Sequence, residues 1–363
     1  MSLRIALTHV YGWPEVRRGG ERYMHELGAA LARAGHDVTI LTTAPTAGRG
    51  EQLGVPVRYL HRRRLPLARL DPLGDEMAFA LQAAARLGGR RLDVWHALGT
   101  ADAAVATALG SVRPVRSVYT DLGVPLRGYR DGRPDRRLHR LVVRGVDRYV
   151  CLSVYAASVL ERDYGRRPER IGGGVDTTRF GPAPRRSPVP SLLYSGAVDE
   201  PRKRLSLLLE AVALLRREFP RLELWVSGQG SLDRIVSAAP AGAAEAVVPL
   251  GTGSLADQAG RYGTAWATVL PSQSEAFGLC LLESLACGTP VVACEDGGGP
   301  ADVVQPGVGF MAAPEPGALA EACRAALDLA GSAGVVERCR AAATPFDWST
   351  GIAPAMAEIY GAA

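Results

Sequence analysis

Short apolar runs alternate with stretches of helical spacing along most of the chain. Residues 3–9 and 37–43 read as strands; between them Tyr23, Leu27, Leu31 and Ala34 mark a helix over 20–34, with Gly35 as its cap. Runs at 57–60, 92–96, 115–120 and 147–152 alternate with helical stretches at 75–87, 101–110, 136–145 and 155–164. That alternation predicts a doubly wound α/β domain over the first half. Residues 172–190 then hold four glycines and four prolines, too many turn-formers for a regular element, and mark a linker. A second alternation starts at Ser191–Tyr194 and continues through a helix at 204–217, a strand at 222–227, a helix at 231–238 and a strand at 246–250. It goes on through a helix at 254–262, a strand at 266–270, a helix at 278–287 and a strand at 290–294, with Ala-rich helices near 318–343. Two Rossmann-like α/β domains are expected, over 1–180 and 181–345.

Length and composition agree with two globular domains: 363 residues, 47% hydrophobic and 22% charged. The first residues are too polar for a secretory signal, and no run of about 18 uncharged apolar residues occurs, so a cytoplasmic protein is expected. Six cysteines lie in apolar segments without C-x-x-C spacing and read as reduced core thiols. One lysine, Lys203, stands among 41 arginines, and asparagine is missing altogether. Such a bias makes arginine counts weak evidence of an anionic partner and makes the surviving lysine conspicuous.

The densest chemistry lies in Pro271–Val292. A strand ends at Pro271, a loop carries Glu275, and a helix opens near Gly278, whose free N–H groups suit a phosphate. Glu283 falls eight residues after Glu275, two turns into that helix, so the two carboxylates can reach different hydroxyls of one elongated ligand. The plain alternative is a loop carboxylate and a solvated helix residue. Glu283, however, is embedded between Leu281-Leu282 and Ser284-Leu285-Ala286, and a carboxylate in such surroundings needs a partner. A second cluster runs from Tyr194 through the turn at Gly196 to Arg202, Lys203 and Arg204, a cradle for a diphosphate or a solvated basic helix start. A third, Arg17-Arg18-Gly19-Gly20-Glu21, follows the first strand; paired glycines permit close backbone approach to a phosphate, or simply make a turn.

The segment from Pro271 resembles the E-x7-E signature of retaining GT-B glycosyltransferases of glycosyltransferase family four, and weaker matches extend over nearly the whole chain. The resemblance implies two Rossmann-like domains facing across a cleft and a nucleoside-diphosphate sugar as donor substrate, with no cofactor. It implies donor-sugar contacts from Glu275, ribose contacts from Glu283, and backbone contacts from Phe277, Gly278 and Leu279. Lys203 matches the family's diphosphate lysine, and Gly19 and Gly20 its glycine pair. Ala197 stands where the family has an arginine after Gly196, leaving Arg202 or Arg204 to supply that charge. Gly228, in Ser227-Gly228-Gln229-Gly230, matches the turn beside the nucleobase, and His96, in Asp93-Val94-Trp95-His96, a strand end on the acceptor side. Gly297-Gly298-Gly299 begins a further matching segment. The family often carries a histidine at the end of the strand 115–120; here no histidine lies nearby, and Asp121 is there either to hydrogen-bond a donor hydroxyl or the acceptor or as an ordinary turn residue. The C-terminal residues 346–363 are expected to pack back on the first domain.

No D-x-D and no cluster of ligand spacing appears, so no metal is expected, and basic side chains with helix N-termini must neutralise the leaving group. Residues 113–148 hold ten arginines against four aspartates, and 58–69 add five more with no acid. Solvated faces shaped by codon bias explain this charge; so does an anionic or lipid-linked hydroxyl acceptor, or a peripheral contact at the inner face of a membrane. Nucleic acid fits poorly, for want of interleaved aromatics. An oxidoreductase lacks the G-x-G-x-x-G loop after the first strand. A non-catalytic nucleotide-binding protein of the same fold is the remaining alternative.

Overall fold

The computed structural model describes residues 2–16, 18–63, 73–124 and 133–361. The chain divides into two compact units, Met1–Gly174 with Trp348–Ala363, and Val175–Asp347. Residues 175–180, expected in the first domain, fall with the second: Val175 N–H donates to Phe346 at 2.9 Å, and Phe180 packs on Tyr262.

The first unit runs β1 (Arg4–Thr8), α1 (Gly19–Arg33), β2 (Asp37–Ala44), β3 (Gly48–Gln52), β4 (Val55–His61), α2 (Leu73–Leu87), β5 (Val94–Ala97), α3 (Thr100–Gly110), β6 (Arg116–Asp121), α4 (Arg133–Gly145), β7 (Arg148–Cys151), α5 (Val154–Tyr164) and β8 (Glu169–Arg170). Its sheet has the order β3-β4-β2-β1-β5-β6-β7-β8 and is parallel except for the β3–β4 pair. β1 and β5 are apolar and buried almost end to end because helices cover both faces of the sheet. β3 was not expected: its residues, Gly-Arg-Gly-Glu-Gln, carry no apolar alternation, and pairing at an exposed edge alone makes it a strand. The strand order reverses between β1 and β5, so a crevice opens at their carboxyl ends, where α/β sheets take ligands.

The C-terminal residues complete this unit. Trp348 is buried against Tyr23 and donates its indole N–H to Glu26 at 2.8 Å. A Cβ on Gly174 would run into the Trp348 ring, so only glycine fits there.

The second unit runs β9 (Ser191–Ser195), α6 (Leu205–Leu215), β10 (Glu223–Ser227), α7 (Asp233–Ser237), β11 (Val247–Pro249), α8 (Leu255–Thr264), β12 (Ala267–Leu270), α9 (Leu279–Ala286), β13 (Val291–Cys294), β14 (Gly309–Ala312), α10 (Pro316–Ala330) and α11 (Val335–Ala343). The last helix, α12 (Ala353–Ile359), returns to the first unit. The sheet is parallel throughout, with the order β11-β10-β9-β12-β13-β14, and its reversal falls between β9 and β12. Leu192, Tyr194, Val212, Leu224, Leu319 and Cys323 belong to its core. The helix expected over 204–217 is shorter at both ends: Pro201–Lys203 form a 3-10 turn before it, Arg204 takes the left-handed conformation at φ 50°, and α6 runs from Leu205 to Leu215.

Candidate donor and acceptor sites

In the second unit the segments that follow β9 and β12 flank the point where strand order reverses. Those segments carry the two most informative motifs of the sequence, so topology alone brings them together. Lys203 Nζ lies 2.5 Å from Glu275 Oε2, and an Arg202 guanidinium nitrogen lies 3.4 Å from the same oxygen. Burial pushes the Glu275 carboxyl up, but Lys203 and Arg202 outweigh it, and the group is held below its ordinary value of 4.5. An ionised carboxylate, a lysine and an arginine thus share one partly buried spot. Cys280, beside them, is a neutral thiol pushed up to about 12 by burial.

Arg204 has another task. Its guanidinium makes two hydrogen bonds to the Asp296 carboxylate, at 2.8 and 2.7 Å, which anchors the left-handed residue between the turn and α6. Of the two arginines considered for the missing charge, Arg202 is the one that stands with Lys203.

Backbone geometry explains the glycines. Gly278 precedes α9 at φ 95°, a conformation that favours glycine, and so starts the helix at Leu279. Glu283 therefore stands just over one turn into α9, less than the two turns expected, and is 2% exposed. The Glu275 loop pairs with the triple glycine: Glu275 N–H donates to Gly297, and Gly299 N–H to Glu275 at 2.9 Å. A Cβ on Gly299 would meet the Ala276 carbonyl, and one on Gly228 would overlap that of Gly196. The turns after β9 and β10 are further joined by Gly196 N–H to Ser227 at 2.9 Å and Val198 N–H to Gln229 at 2.8 Å. The Phe277 side chain faces inward, edge-on to Phe346 at 5.5 Å.

In the first unit Gly19 and Gly20 open α1, and the Leu122 side chain lies 3.1 Å from where a Cβ on Gly20 would be. The glycine pair and the end of β6 are therefore neighbours. Arg17, expected beside the pair, lies outside the described residues.

Asp121 ends β6 and is 2% exposed. A histidine does lie near it in space. His139, on α4, places Nε2 3.2 Å from Asp121 Oδ2, and the Tyr149 hydroxyl donates to the same oxygen at 3.3 Å. Sequence proximity gave no sign of this, since His139 comes eighteen positions later, on the next helix. Asp102 is another acid that sequence reading passed over: it accepts from the Thr8 hydroxyl at 2.5 Å, and burial pushes its carboxyl up to about 8.

His96, expected on the acceptor side, lies in the core of the first unit. Its ring is fully buried, Nδ1 meets the Tyr360 hydroxyl at 2.6 Å, Nε2 meets the Thr120 hydroxyl at 2.7 Å, and burial lowers its pKa to about 3. Nδ1 ties the C-terminal residues to the sheet, and Nε2 joins β5 to β6.

Of the arginines, Arg136, Arg137, Arg140 and Arg144 lie exposed along α4. Arg116 instead donates to the Tyr360 carbonyl, and Arg62 pairs with Glu15 at 2.8 Å. Arg64, Arg69, Arg127 and Arg130 lie outside the described residues. Among the described residues no three His, Cys, Asp or Glu side chains gather as a metal site would require, and no helix is long and apolar enough to cross a membrane.

Two family models match, one for each alternation: "Glycosyltransferase Family 4" over residues 17–179 and "Glycosyl transferases group 1" over residues 189–328. Glycogen synthase of Mycobacterium tuberculosis is 31% identical across 97% of this chain and 93% of its own length. The chain belongs to glycosyltransferase family four. A second relative, D-inositol 3-phosphate glycosyltransferase of Kineococcus radiotolerans, is 30% identical over 84% of this chain and 81% of its own. The Anabaena protein HepE, solved with UDP-glucose, superposes with a TM-score of 0.78 at 20% identity, over 99% of this chain and all of that one. The family-four enzyme described here has the GT-B fold and is a glycosyltransferase that uses nucleotide-sugar donors.

Proposed function

We propose that this glycosyltransferase moves a hexose from a nucleoside-diphosphate sugar to a hydroxyl of an anionic acceptor, with retention of configuration and without a metal. The observation that carries the reading is the contact of Lys203 and Arg202 with the Glu275 carboxylate at the reversal of strand order. Two cations there, together with the N-terminus of α9, meet the charge that develops on the leaving diphosphate, which is the work a metal would otherwise do. Arg202 takes the place of the arginine absent at Ala197, because it lies beside the carboxylate that Lys203 meets while Arg204 turns to Asp296.

In this reading Glu275 accepts hydrogen bonds from sugar hydroxyls and Glu283 from the ribose. Backbone groups of Gly19, Gly20, Gly196, Gly228 and Phe277 to Leu279 meet the rest of the donor, and Asp121 meets a hydroxyl at the reacting centre. The bond from the anomeric carbon to the diphosphate breaks and the bond to the acceptor oxygen forms on the same face. The acceptor's proton passes to the departing phosphate oxygen.

The four exposed arginines of α4 favour an anionic acceptor, and the relative named for D-inositol 3-phosphate is in keeping with one. The same charge suits a peripheral contact with an anionic membrane. Calorimetric titration with UDP, GDP and dTDP, followed by donor hydrolysis with and without EDTA, tests the reading. Binding of one diphosphate and turnover indifferent to EDTA are expected; activity lost in EDTA and restored by magnesium or manganese would overturn the metal-free part.

A further inference from the structure

We propose that His139 is a positioning residue of the transfer site, its Nε2 held against the Asp121 carboxylate by the hydrogen bonds that run from Tyr119 through Thr100 to the other side of the ring. The inference rests on the reading that Asp121 meets a substrate hydroxyl.

Five groups from four elements converge there. Tyr119 lies on β6, Thr100 opens α3 directly after β5, His139 comes from α4, Asp121 ends β6 and Tyr149 lies on β7. The Tyr119 hydroxyl is 3.3 Å from Thr100 Oγ1, Thr100 Oγ1 is 3.4 Å from His139 Nδ1, and His139 Nε2 is 3.2 Å from Asp121 Oδ2. All five side chains are at most 6% exposed, so water does not substitute for a missing partner.

The chemistry of the end members sets the direction. A carboxylate only accepts, so the hydrogen of His139 sits on Nε2, facing Asp121 in a polar contact at 3.2 Å that falls short of hydrogen-bond geometry. Nδ1 then accepts, the Thr100 hydroxyl donates to it, and the Tyr119 hydroxyl donates to Thr100. The ring cannot swing away: Tyr164 overlies it at 4.1 Å between centroids, and Tyr119 meets it at 74°. Asp121 Oδ2 therefore accepts from Tyr149 and faces His139 Nε2 at 3.2 Å, while Oδ1 turns to the Gly123 N–H at 3.4 Å. Leu122, between Asp121 and Gly123, packs on Gly20, so the orientation of this carboxylate is tied to the loop that holds the glycine pair.

The purpose of such a chain is geometric. A carboxylate with two free rotamers aligns a hydroxyl for only part of the time, and loss of alignment by about 1 Å costs up to about a hundredfold in rate. His139→Gln retains a donor towards Asp121 and an acceptor towards Thr100, whereas His139→Phe keeps the ring packing and removes both.

The test uses the full chain, with initial hydrolysis of UDP-, GDP- or dTDP-glucose, whichever is turned over fastest, as the readout. His139→Phe should lower kcat about tenfold with KM for the donor unchanged, and His139→Gln should recover most of it. In the double variant with Asp121→Asn the losses should not multiply, as coupled groups require. Long-range proton–nitrogen spectra of nitrogen-15 histidine-labelled wild type, with the His139 signal assigned by its loss in His139→Gln, should show the Nε2–H tautomer. This last measurement does not depend on how His139→Phe folds. If Asp121→Asn turns over at the wild-type rate, the reading of Asp121 fails. If Asp121→Asn is slow while His139→Phe is not, if the losses multiply, or if the spectrum shows Nδ1–H, the role of His139 fails and that of Asp121 stands.

Discussion

Replacing Lys203 by alanine separates what the lysine does for the fold from what it does for the donor. In the free protein its ammonium lies 2.5 Å from Glu275 Oε2, with the two side chains 15% and 16% exposed. Breaking a fully buried pair costs about 3–5 kcal/mol. Here Arg202 remains 3.4 Å from the carboxylate and water reaches the pair, so a cost of about 1–2 kcal/mol is expected. The sign with pH follows from the depressed pKa of Glu275. A depressed carboxylate contributes stability that is present above its ordinary 4.5 and is lost as pH falls through the folded value. The deficit of Lys203→Ala relative to wild type should therefore be full at pH 7 and shrink in acid below 4.5. Turnover should fall far more, by about 10²–10³, as when one preorganised donor to a developing charge is removed. Urea unfolding at both pH values and kcat at saturating donor measure the two effects. Near wild-type kcat, or a stability deficit that does not shrink in acid, would refute the reasoning.

Tyr360→Phe leaves Nδ1 of the fully buried His96 without its hydroxyl partner and should cost about 1–3 kcal/mol, read as a lowered urea midpoint. Because burial lowers the His96 pKa from 6.5 to about 3, the unfolded chain takes up that proton first, and stability should fall as pH drops through this window. In His96→Gln the decline should be shallower; an unchanged slope would contradict the assignment. Arg137→Glu with Arg140→Glu on the exposed face of α4 should raise KM for an anionic acceptor and weaken its salt dependence while leaving UDP affinity unchanged. Equal KM values would argue that this face only meets solvent.

Local patterning made most of the strands and helices readable, since parallel strands covered on both faces are apolar runs and the helices between them keep a clear period. It failed where contact rather than composition decides structure. β3, Gly-Arg-Gly-Glu-Gln, is a strand only because β4 offers it an edge, and Arg204, expected to open a helix, stays outside it in the left-handed conformation, its guanidinium gripped by Asp296, 92 residues later. The donor-side motifs were legible for the opposite reason: the chemistry is local, with Glu275 and Glu283 eight residues apart and Lys203 conspicuous in a chain otherwise without lysine. His96 and Asp121 were visible as residue types at strand ends, but their partners were not. Tyr360 reaches His96 across 264 residues, and His139 reaches Asp121 from another helix, juxtapositions that only the folded sheet creates.

The stereochemistry of the product tests the proposed transfer most directly. The enzyme should be given the nucleotide sugar it hydrolyses fastest together with a phosphorylated polyol acceptor, and the anomeric proton coupling of the new linkage read by NMR. The linkage should keep the configuration of the donor, with Asp121→Asn slower but still active. An inverted linkage, with Asp121→Asn inactive, would mean that a carboxylate base drives the reaction and would contradict retention assisted by the leaving phosphate.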